Sequence, residues 1–217
     1  MAFQDVVDTA QKYFPGLQIK YKNRSTFMKT LGFLFFFNKW FMTNCTVLNN
    51  TIYIPTENYI KSHPVSTAVV FMHELVHLYD QKRIGGIWFY LGYIFPQILI
   101  LPALLFFLAS WKIALPVILL LSLPIPAYFR MHFEKRAYIS SIYIIQKLSE
   151  RLNFNPKLNI QNDFFISCFI NSSYYFMWPF GNAITSQFNG AVQLVQSGQR
   201  PYQDAVFDML DDLVTKV

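Results

Sequence analysis

The chain has few charged residues and few cysteines for its length. Only 14% of its 217 residues are charged and 53% are hydrophobic, whereas about 25% of an ordinary soluble protein is charged. This apolar excess indicates a protein that buries surface in lipid or in a large assembly. Cys45 and Cys168 are the two cysteines. Two isolated cysteines exclude a disulfide framework and a cysteine metal site, so we expect both to be buried or reduced.

Signals for nucleic-acid binding and for secretion are also missing. The net charge is +6, but no basic run with interleaved aromatic residues accompanies it, so a nucleic-acid partner is not expected. The basic excess suits a membrane-facing side better. The N-terminal segment, Met1 to Phe14, is acidic and amphipathic rather than a cleavable signal peptide. Any membrane insertion must therefore use an internal segment.

The chain does contain the pentapeptide His73-Glu74-Leu75-Val76-His77, within a stretch from Ser66 to Arg83 that we predict to be one helix. Two histidines four residues apart lie one turn apart on the same helix face, so both rings can reach one zinc ion. Glu74 projects beside the metal, where it can take a proton from a water that zinc activates. The alternative is a helix that happens to carry two surface histidines.

Short strands and amphipathic helices surround this motif. Leu17 to Lys22 alternates apolar and polar residues and predicts a strand. Cys45–Leu48 and Thr51–Ile54 flank Asn49-Asn50, which predicts a hairpin because asparagine tolerates the positive backbone angle of such turns. Apolar residues at helical spacing from Ala205 to Val217, with aspartates on the other side, predict a final amphipathic helix.

A long apolar stretch follows the motif. From Gly85 to Phe129 the only charged residue is Lys112. Trp88 to Ala109 is long enough to cross a bilayer as a helix, and Ile113 to Phe129 is marginally long enough. We therefore predict a membrane-crossing helical hairpin that turns at Ser110-Trp111-Lys112. Basic residues flank its open end, which places that end and the metal helix in the cytoplasm. The alternative is an apolar hairpin buried in a protein assembly.

After the apolar stretch, a predicted helix runs from His132 to about Asn153. Glu134 is the natural third protein ligand, because its helix can return beside the metal helix. Ala137, one turn along on the same face, is small enough for the two helices to approach closely. His132 is a rival ligand on a different face. The alternative role for Glu134 is a surface salt bridge with Arg130 or Lys135.

Asp80 is a candidate to orient one of the histidines. It lies three residues after His77 and seven after His73, on the same helix face. Its carboxylate can accept the second ring proton of a metal-bound histidine. A solvated aspartate at the end of the helix is an equally consistent interpretation.

This combination resembles a zincin metallopeptidase with a glutamate ligand, a gluzincin. More narrowly, it resembles the integral-membrane family that includes the CAAX prenyl protease and the bacterial heat-shock membrane protease. The first motif, the hairpin and Glu134-Lys135-Arg136-Ala137 follow that family's order over about Thr46 to Arg151. Tyr138 stands where the family pattern has aspartate, so Asp80 or the Tyr138 hydroxyl would replace that partner of a metal-bound histidine. His-Glu-Leu-Val-His-Leu-Tyr-Asp is also similar to small zincin-like proteins of tailed phages.

The resemblance implies a mostly helical α+β fold. A zincin-like domain would have a small N-terminal sheet and the motif helix within residues 1–84, the inserted apolar hairpin within 85–129, and its C-terminal part within 130–217. Zincins use a strand just before the metal helix to hold an extended substrate by main-chain hydrogen bonds. Thr51 to Pro55 is our candidate for that strand, although an ordinary sheet strand fits equally well.

The expected function is a membrane-attached zinc metalloendopeptidase. Its zinc ligands would be His73, His77 and Glu134, its general base Glu74, and its partners a protein or peptide substrate and a lipid bilayer. Oxyanion donors come from outside the motif in such enzymes, and the candidates are Tyr174, Tyr175 and Arg200. The rival hypothesis is a non-catalytic, membrane-penetrating or structural component of a larger particle, such as a phage virion, that retains the fold and binds other subunits.

Overall fold

The computed structural model of the chain describes residues 3–34, 41–105, 110–121, 126–171, 177–178 and 180–217. Within these residues the protein is mostly helical and has one small three-stranded sheet, which confirms the coarse fold class predicted from the sequence. The elements are α1 (Phe3–Tyr13), β1 (Gln18–Tyr21), α2 (Thr26–Leu34), β2 (Thr46–Leu48), β3 (Thr51–Ile54), α3 (Glu57–Ser62), α4 (Pro64–Ile84), α5 (Gly86–Ile94), α6 (Ile100–Leu104), α7 (Trp111–Leu121), α8 (Tyr128–Leu152), α9 (Leu158–Ile170), α10 (Gly181–Gln196) and α11 (Val206–Val214).

The sheet is mixed, and β3 is its central strand. β1 runs parallel to β3, and β2 runs antiparallel to β3 with Val47 opposite Ile52. Asn49 adopts a φ of +52° in the tight turn between β2 and β3, so the predicted hairpin is confirmed. The fully buried side chains of Ile52 and Ile54 join the sheet to the helical core.

Two long helices, α4 and α8, pack along each other and form the centre of the protein. α4 begins with Pro64, whose missing N–H is harmless in a first helical turn. It ends at Ile84, and the next residue, Gly85, adopts a φ of +96° that glycine reaches at little steric cost. The predicted helices from Ser66 to Arg83 and from His132 to Asn153 are both confirmed. Their shared apolar core fixes the histidine pair of α4 against one face of α8.

The predicted membrane hairpin is wrong, because no described helix has the length and apolar character to cross a membrane. The first predicted span breaks at Phe95-Pro96, directly after α5 ends, and α6 then extends only from Ile100 to Leu104. Proline lacks the N–H that a continuing helix needs, and it also restricts the residue before it. The second predicted span is divided between α7, which ends at Leu121, and α8, which begins at Tyr128.

The predicted cellular placement is corrected together with the hairpin. An integral-membrane location, with the active site on the cytoplasmic side, depended on two helices that cross the bilayer. The apolar stretch from Gly85 to Phe129 has enough residues for two membrane-crossing helices. Apolar composition does not by itself require a continuous helix: the first span breaks at Pro96, although Pro116 lies inside α7.

Candidate metal centre

The structure brings the three predicted metal ligands together in a buried position. The rings of His73 and His77 lie one turn apart on α4, with centroids 4.9 Å from each other. Glu134 projects from the facing side of α8. Its Oε2 atom lies 3.7 Å from Nε2 of His73 and 3.6 Å from Nε2 of His77. Glu134 is only 2% exposed, so the alternative of a surface salt bridge is wrong.

The spacing of these atoms fits a metal ion. Ligand atoms at ordinary zinc distances on a tetrahedral ion lie about 3.3–3.4 Å apart, close to the separations observed between Glu134 and the two rings. Glu134 Oε2 is buried and has no hydrogen-bond donor among the described residues, although a buried charged oxygen normally has a partner. A cation between the three side chains would satisfy it. The triad of His73, His77 and Glu134 could therefore hold a metal ion.

The charges of the site also favour a cation. Burial by itself would raise the pKa of Glu134, but the positive charge of His77 and the proximity of His73 lower it below its ordinary value. Burial would lower the pKa of His77, but the negative charge of Glu134 raises it. Glu134 is therefore ionised, and a metal ion entering the site competes with a proton on His77.

Glu74 lies between the metal helix and the edge of the sheet. It is buried, and its Oε2 accepts a hydrogen bond of 3.0 Å from the backbone N–H of Val47 in β2. One carboxylate oxygen is thereby fixed by the strand. Sequence reasoning missed this contact, because nothing in the local pattern around Val47 identifies which side chain its N–H meets.

The strand next to the site is β2, which corrects the prediction that Thr51 to Pro55 could hold a substrate. β3, the strand in that range, is paired with β1 on one side and with β2 on the other, so its ladder positions are occupied. β2 has no second neighbouring strand among the described residues. Its N–H at Val47 points away from β3, towards Glu74.

Of the two predicted orienting residues, Asp80 does not play the expected part, and Tyr138 lies against His73. Asp80 is buried and pairs with Arg136 at 3.3 Å rather than accepting a ring proton from His77. Burial raises the pKa of Asp80, and the charge of Arg136 opposes that effect. The ring of Tyr138 packs edge-on against His73, with centroids 4.7 Å apart.

The residue that orients His73 is Ser141. Its hydroxyl lies 3.1 Å from Nδ1 of His73 and itself donates to the carbonyl of Ala137. Because the serine proton is used by Ala137, His73 donates from Nδ1 and presents Nε2 to Glu134. Ser141 lies seven residues after Glu134, two helical turns along one face, which is a signal that sequence reasoning could have used.

A helix from the apolar stretch covers the site. The ring of Phe89 on α5 lies 6.3 Å from His77, and that of Tyr93 lies 6.2 Å from His77 in a perpendicular orientation. The hydroxyl of Tyr93 donates a hydrogen bond to Oε1 of Glu134. Tyr90, on the same helix, bonds the backbone N–H of Asn49 in the β2–β3 turn. α5 therefore connects the ligand carboxylate to the hairpin, a link with no local sequence signal.

Of the three oxyanion candidates, only Arg200 lies within the described residues. Tyr174 and Tyr175 lie outside the described part of the chain. Arg200 forms ion pairs of 2.7 Å with Asp208 and 2.6 Å with Asp211, so its guanidinium is directed to α11.

A fully buried lysine lies on the sheet side of the site. Lys22 donates hydrogen bonds from Nζ to the carbonyl of Phe41 at 2.5 Å and to Oγ1 of Thr46 at 2.7 Å. Burial lowers its pKa to about 8, although the negative charge of Glu74 acts in the opposite direction. Sequence reasoning missed Lys22, because it ends an ordinary alternating strand pattern.

Cys45 and Cys168 are both buried and free, as predicted. His63 is exposed at the start of α4, and His132 bonds the carbonyl of Tyr128, so neither joins the three ligands.

Comparison with known proteins adds no assignment to this centre: no protein-family model, no curated protein and no solved structure matches the chain.

Proposed function

We propose that the protein is a zinc-dependent metallopeptidase of the gluzincin type. The observation that supports this most is the position of Glu134 Oε2, 3.6–3.7 Å from the Nε2 atoms of both histidines. Two imidazoles and one carboxylate form a ligand set that zinc uses in peptidases, and three protein ligands are the number found in catalytic zinc sites. The mixed sheet beside the motif helix also agrees with a zincin-like fold.

The proposed reaction is hydrolysis of a peptide bond. A zinc ion bound by the triad would supply an electrophile for the carbonyl oxygen and lower the pKa of a water. Glu74 takes a proton from the attacking water and delivers it to the leaving nitrogen as the C–N bond breaks. The hydrogen bond from Val47 holds Oε2 of Glu74, which leaves Oε1 for this proton transfer.

The outer edge of β2 is the proposed binding place for an extended substrate. Main-chain groups on an unpaired edge can add one more strand to a sheet. The N–H of Val47 on this edge is used by Glu74, so a peptide that pairs with the other main-chain groups of β2 would pass next to the general base. This replaces the substrate strand predicted from the sequence.

Metal content and peptide cleavage of the full chain test the proposal. Glu74→Gln should retain stoichiometric zinc, because Glu74 is not a ligand, and should lose cleavage by about a hundredfold to ten-thousandfold. Mass spectrometry of a peptide library made from whole proteomes detects cleavage whatever sequence the enzyme prefers. Elemental analysis of the purified protein measures the metal.

Glu57→Gln is the matched control, because Glu57 is an exposed carboxylate paired with Arg24 and Lys61. It should leave both zinc and cleavage unchanged. Equal cleavage by the wild type and Glu74→Gln would remove Glu74 from the mechanism. A zinc-loaded wild type that cleaves no peptide would favour the rival hypothesis of a non-catalytic component, which the exposed apolar side chains of α5 and α7 also suit.

A further inference from the structure

The helices between the metal helix and α8 expose many large apolar side chains to solvent. Trp88 is 70% exposed and Trp111 62% exposed. We define the apolar surface by these exposed residues of α5, the residue after it, and α7: Ile87, Trp88, Leu91, Ile94, Phe95, Trp111, Ile113, Leu115, Leu119 and Leu120. Exposed apolar clusters of this kind mark sites of interaction. The other side of α5 faces the metal centre through Phe89 and Tyr93.

α7 has no polar face to turn towards water. At 100° per residue, its exposed side chains cover about 200° of the helix circumference, and Lys112 is the only polar one among them. The remaining side, which includes the buried Ala114, is apolar as well. A helix that docks on a protein typically uses a narrower apolar stripe with polar residues opposite. This breadth favours a fluid apolar medium over a single protein groove.

The apolar stretch carries a single charge, and that charge is positive. No acidic residue occurs from Gly85 to Phe129, and Lys112 is exposed at the start of α7. Lys82 is exposed at the end of α4, directly before α5, whereas Arg83 beside it forms ion pairs with Asp80 and Asp204. Tryptophan and lysine together are typical of the region between acyl chains and head groups. The exposed Lys82 and Lys112, in a stretch without acidic residues, are complementary to an anionic lipid surface.

The lengths of the helices set the depth of such an interaction. α7 has 11 residues and α5 has nine, which corresponds to about 16 Å and 13 Å, against about 30 Å for the hydrocarbon layer. Neither helix can cross that layer. Both are long enough to lie in the interface, with apolar side chains about 5–10 Å deep.

We infer that the apolar surface docks the protein onto the face of an anionic bilayer, without crossing it. The inference does not depend on the proposed peptidase activity. It places the side of the protein that carries α5, and therefore the covered metal centre, next to the lipid head groups.

Flotation of the full chain with lipid vesicles tests this inference. The wild type should float with vesicles of phosphatidylcholine containing about one third phosphatidylglycerol, and bind pure phosphatidylcholine vesicles more weakly. Trp88→Ser combined with Trp111→Ser should weaken binding at least about tenfold, because two interfacial side chains are lost. Lys112→Gln should reduce the preference for the anionic vesicles by about fivefold.

Phe164→Ser is the matched control, because Phe164 is an aromatic residue of α9 that is 59% exposed and lies outside the apolar surface. It should bind vesicles as the wild type does, and circular dichroism should show that each variant is folded. Quenching of wild-type tryptophan fluorescence by brominated lipids provides a measurement that needs no variant. Absence of both flotation and quenching would overturn the inference. So would a stable dimer abolished by the double tryptophan variant without vesicle binding, because it would assign the surface to a second copy.

Discussion

Three residues around the candidate metal centre each hold a ligand or the proposed base by a hydrogen bond from a distant part of the chain. Tyr93 reaches Glu134 from the opposite end of the apolar stretch, Ser141 reaches His73 from α8, and Val47 reaches Glu74 from the sheet. Each contact fixes one atom of a ligand or of the proposed base. Precise placement of these atoms matters because catalytic and metal-binding groups tolerate only small displacements.

Removing the Tyr93 hydroxyl should weaken metal binding. Tyr93→Phe keeps the ring against His77 but deletes the hydrogen bond to Oε1 of Glu134. We expect zinc affinity to fall about tenfold to a hundredfold, as is usual when a partner of a ligand is lost. Competition with a chelator of known affinity measures the change.

Tyr90→Phe controls for the loss of a hydroxyl on the same helix. Tyr90 bonds Asn49 and does not contact a ligand in the described structure. Its removal should leave zinc affinity within about twofold of the wild type. If both tyrosine variants bind zinc equally well, the Tyr93 hydroxyl does not support Glu134.

The buried Lys22 should make stability depend on pH. Its pKa is about 8 in the folded protein, below its ordinary value of 10.5, so between these values the unfolded chain binds more protons than the folded one. Stability should therefore rise with pH from about 8 to about 10.5, by up to about 3 kcal/mol. Denaturant unfolding at a series of pH values measures it, and Lys22→Met should abolish this component.

Lys20→Met is the comparison variant, because Lys20 is exposed on β1, two residues before Lys22. Its stability should change with pH as that of the wild type does. Parallel curves for the wild type and Lys22→Met would show that Lys22 retains its proton equally in the folded and unfolded states.

At the scale of elements, the close packing of α4 on α8 determines whether Glu134 can reach the two histidines as a third ligand. Ala137 is fully buried, one turn after Glu134 and one turn before Ser141. Both of those residues contact the histidines of α4, so Ala137 lies on the face directed to α4. A small side chain at this position lets the helix axes come near enough for Glu134 to reach both rings.

Enlarging Ala137 should separate the two helices. Ala137→Leu should destabilise the protein by about 1–3 kcal/mol, because a packed interface has no room for three extra carbon atoms. It should also weaken zinc binding, because Glu134 moves with α8. Thermal unfolding and chelator competition measure the two effects. Ala137→Ser adds a single atom and should retain most of both properties; equal behaviour of the two variants would contradict tight packing here.

Local sequence patterns predicted where helices and strands occur better than they predicted which elements pack or pair with each other. The periodic apolar residues of α4 and α8 and the Asn49 turn were identified correctly, because helical and hairpin signals are confined to a few residues. The central position of β3 was missed, because strand order depends on β1, which lies about thirty residues earlier in the chain. Pairing of that kind leaves no local signal.

For the whole molecule, the metal centre should contribute to stability. His73 and His77 come from α4 and Glu134 from α8, so an ion that all three bind joins the two central helices and has no equivalent site in the unfolded chain. Removing the metal with a chelator should lower the Tm. The stabilisation should grow with free zinc, to about 4 kcal/mol at a thousandfold excess over Kd.

Two histidine variants make this measurement specific. His77→Ala should remove the dependence of Tm on zinc, because one of three ligands is lost. His63→Ala should keep it, because His63 is exposed at the start of α4 and lies apart from the triad. A Tm that responds to zinc equally in both variants would place the stabilising metal elsewhere.

The sequence by itself determined the residues with metal-binding chemistry and the helices that carry them. The spacing of His73, Glu74 and His77 and the position of Glu134 on a regular helix could be interpreted from the sequence, because helix geometry alone relates that spacing to a shared face. The path of the apolar stretch was decided only by the tertiary structure. Apolar composition is equally consistent with a bilayer, a protein core or an exposed docking face. The break at Pro96 and the contacts of Tyr90 and Tyr93 with distant residues place α5, a short helix, over the candidate metal centre.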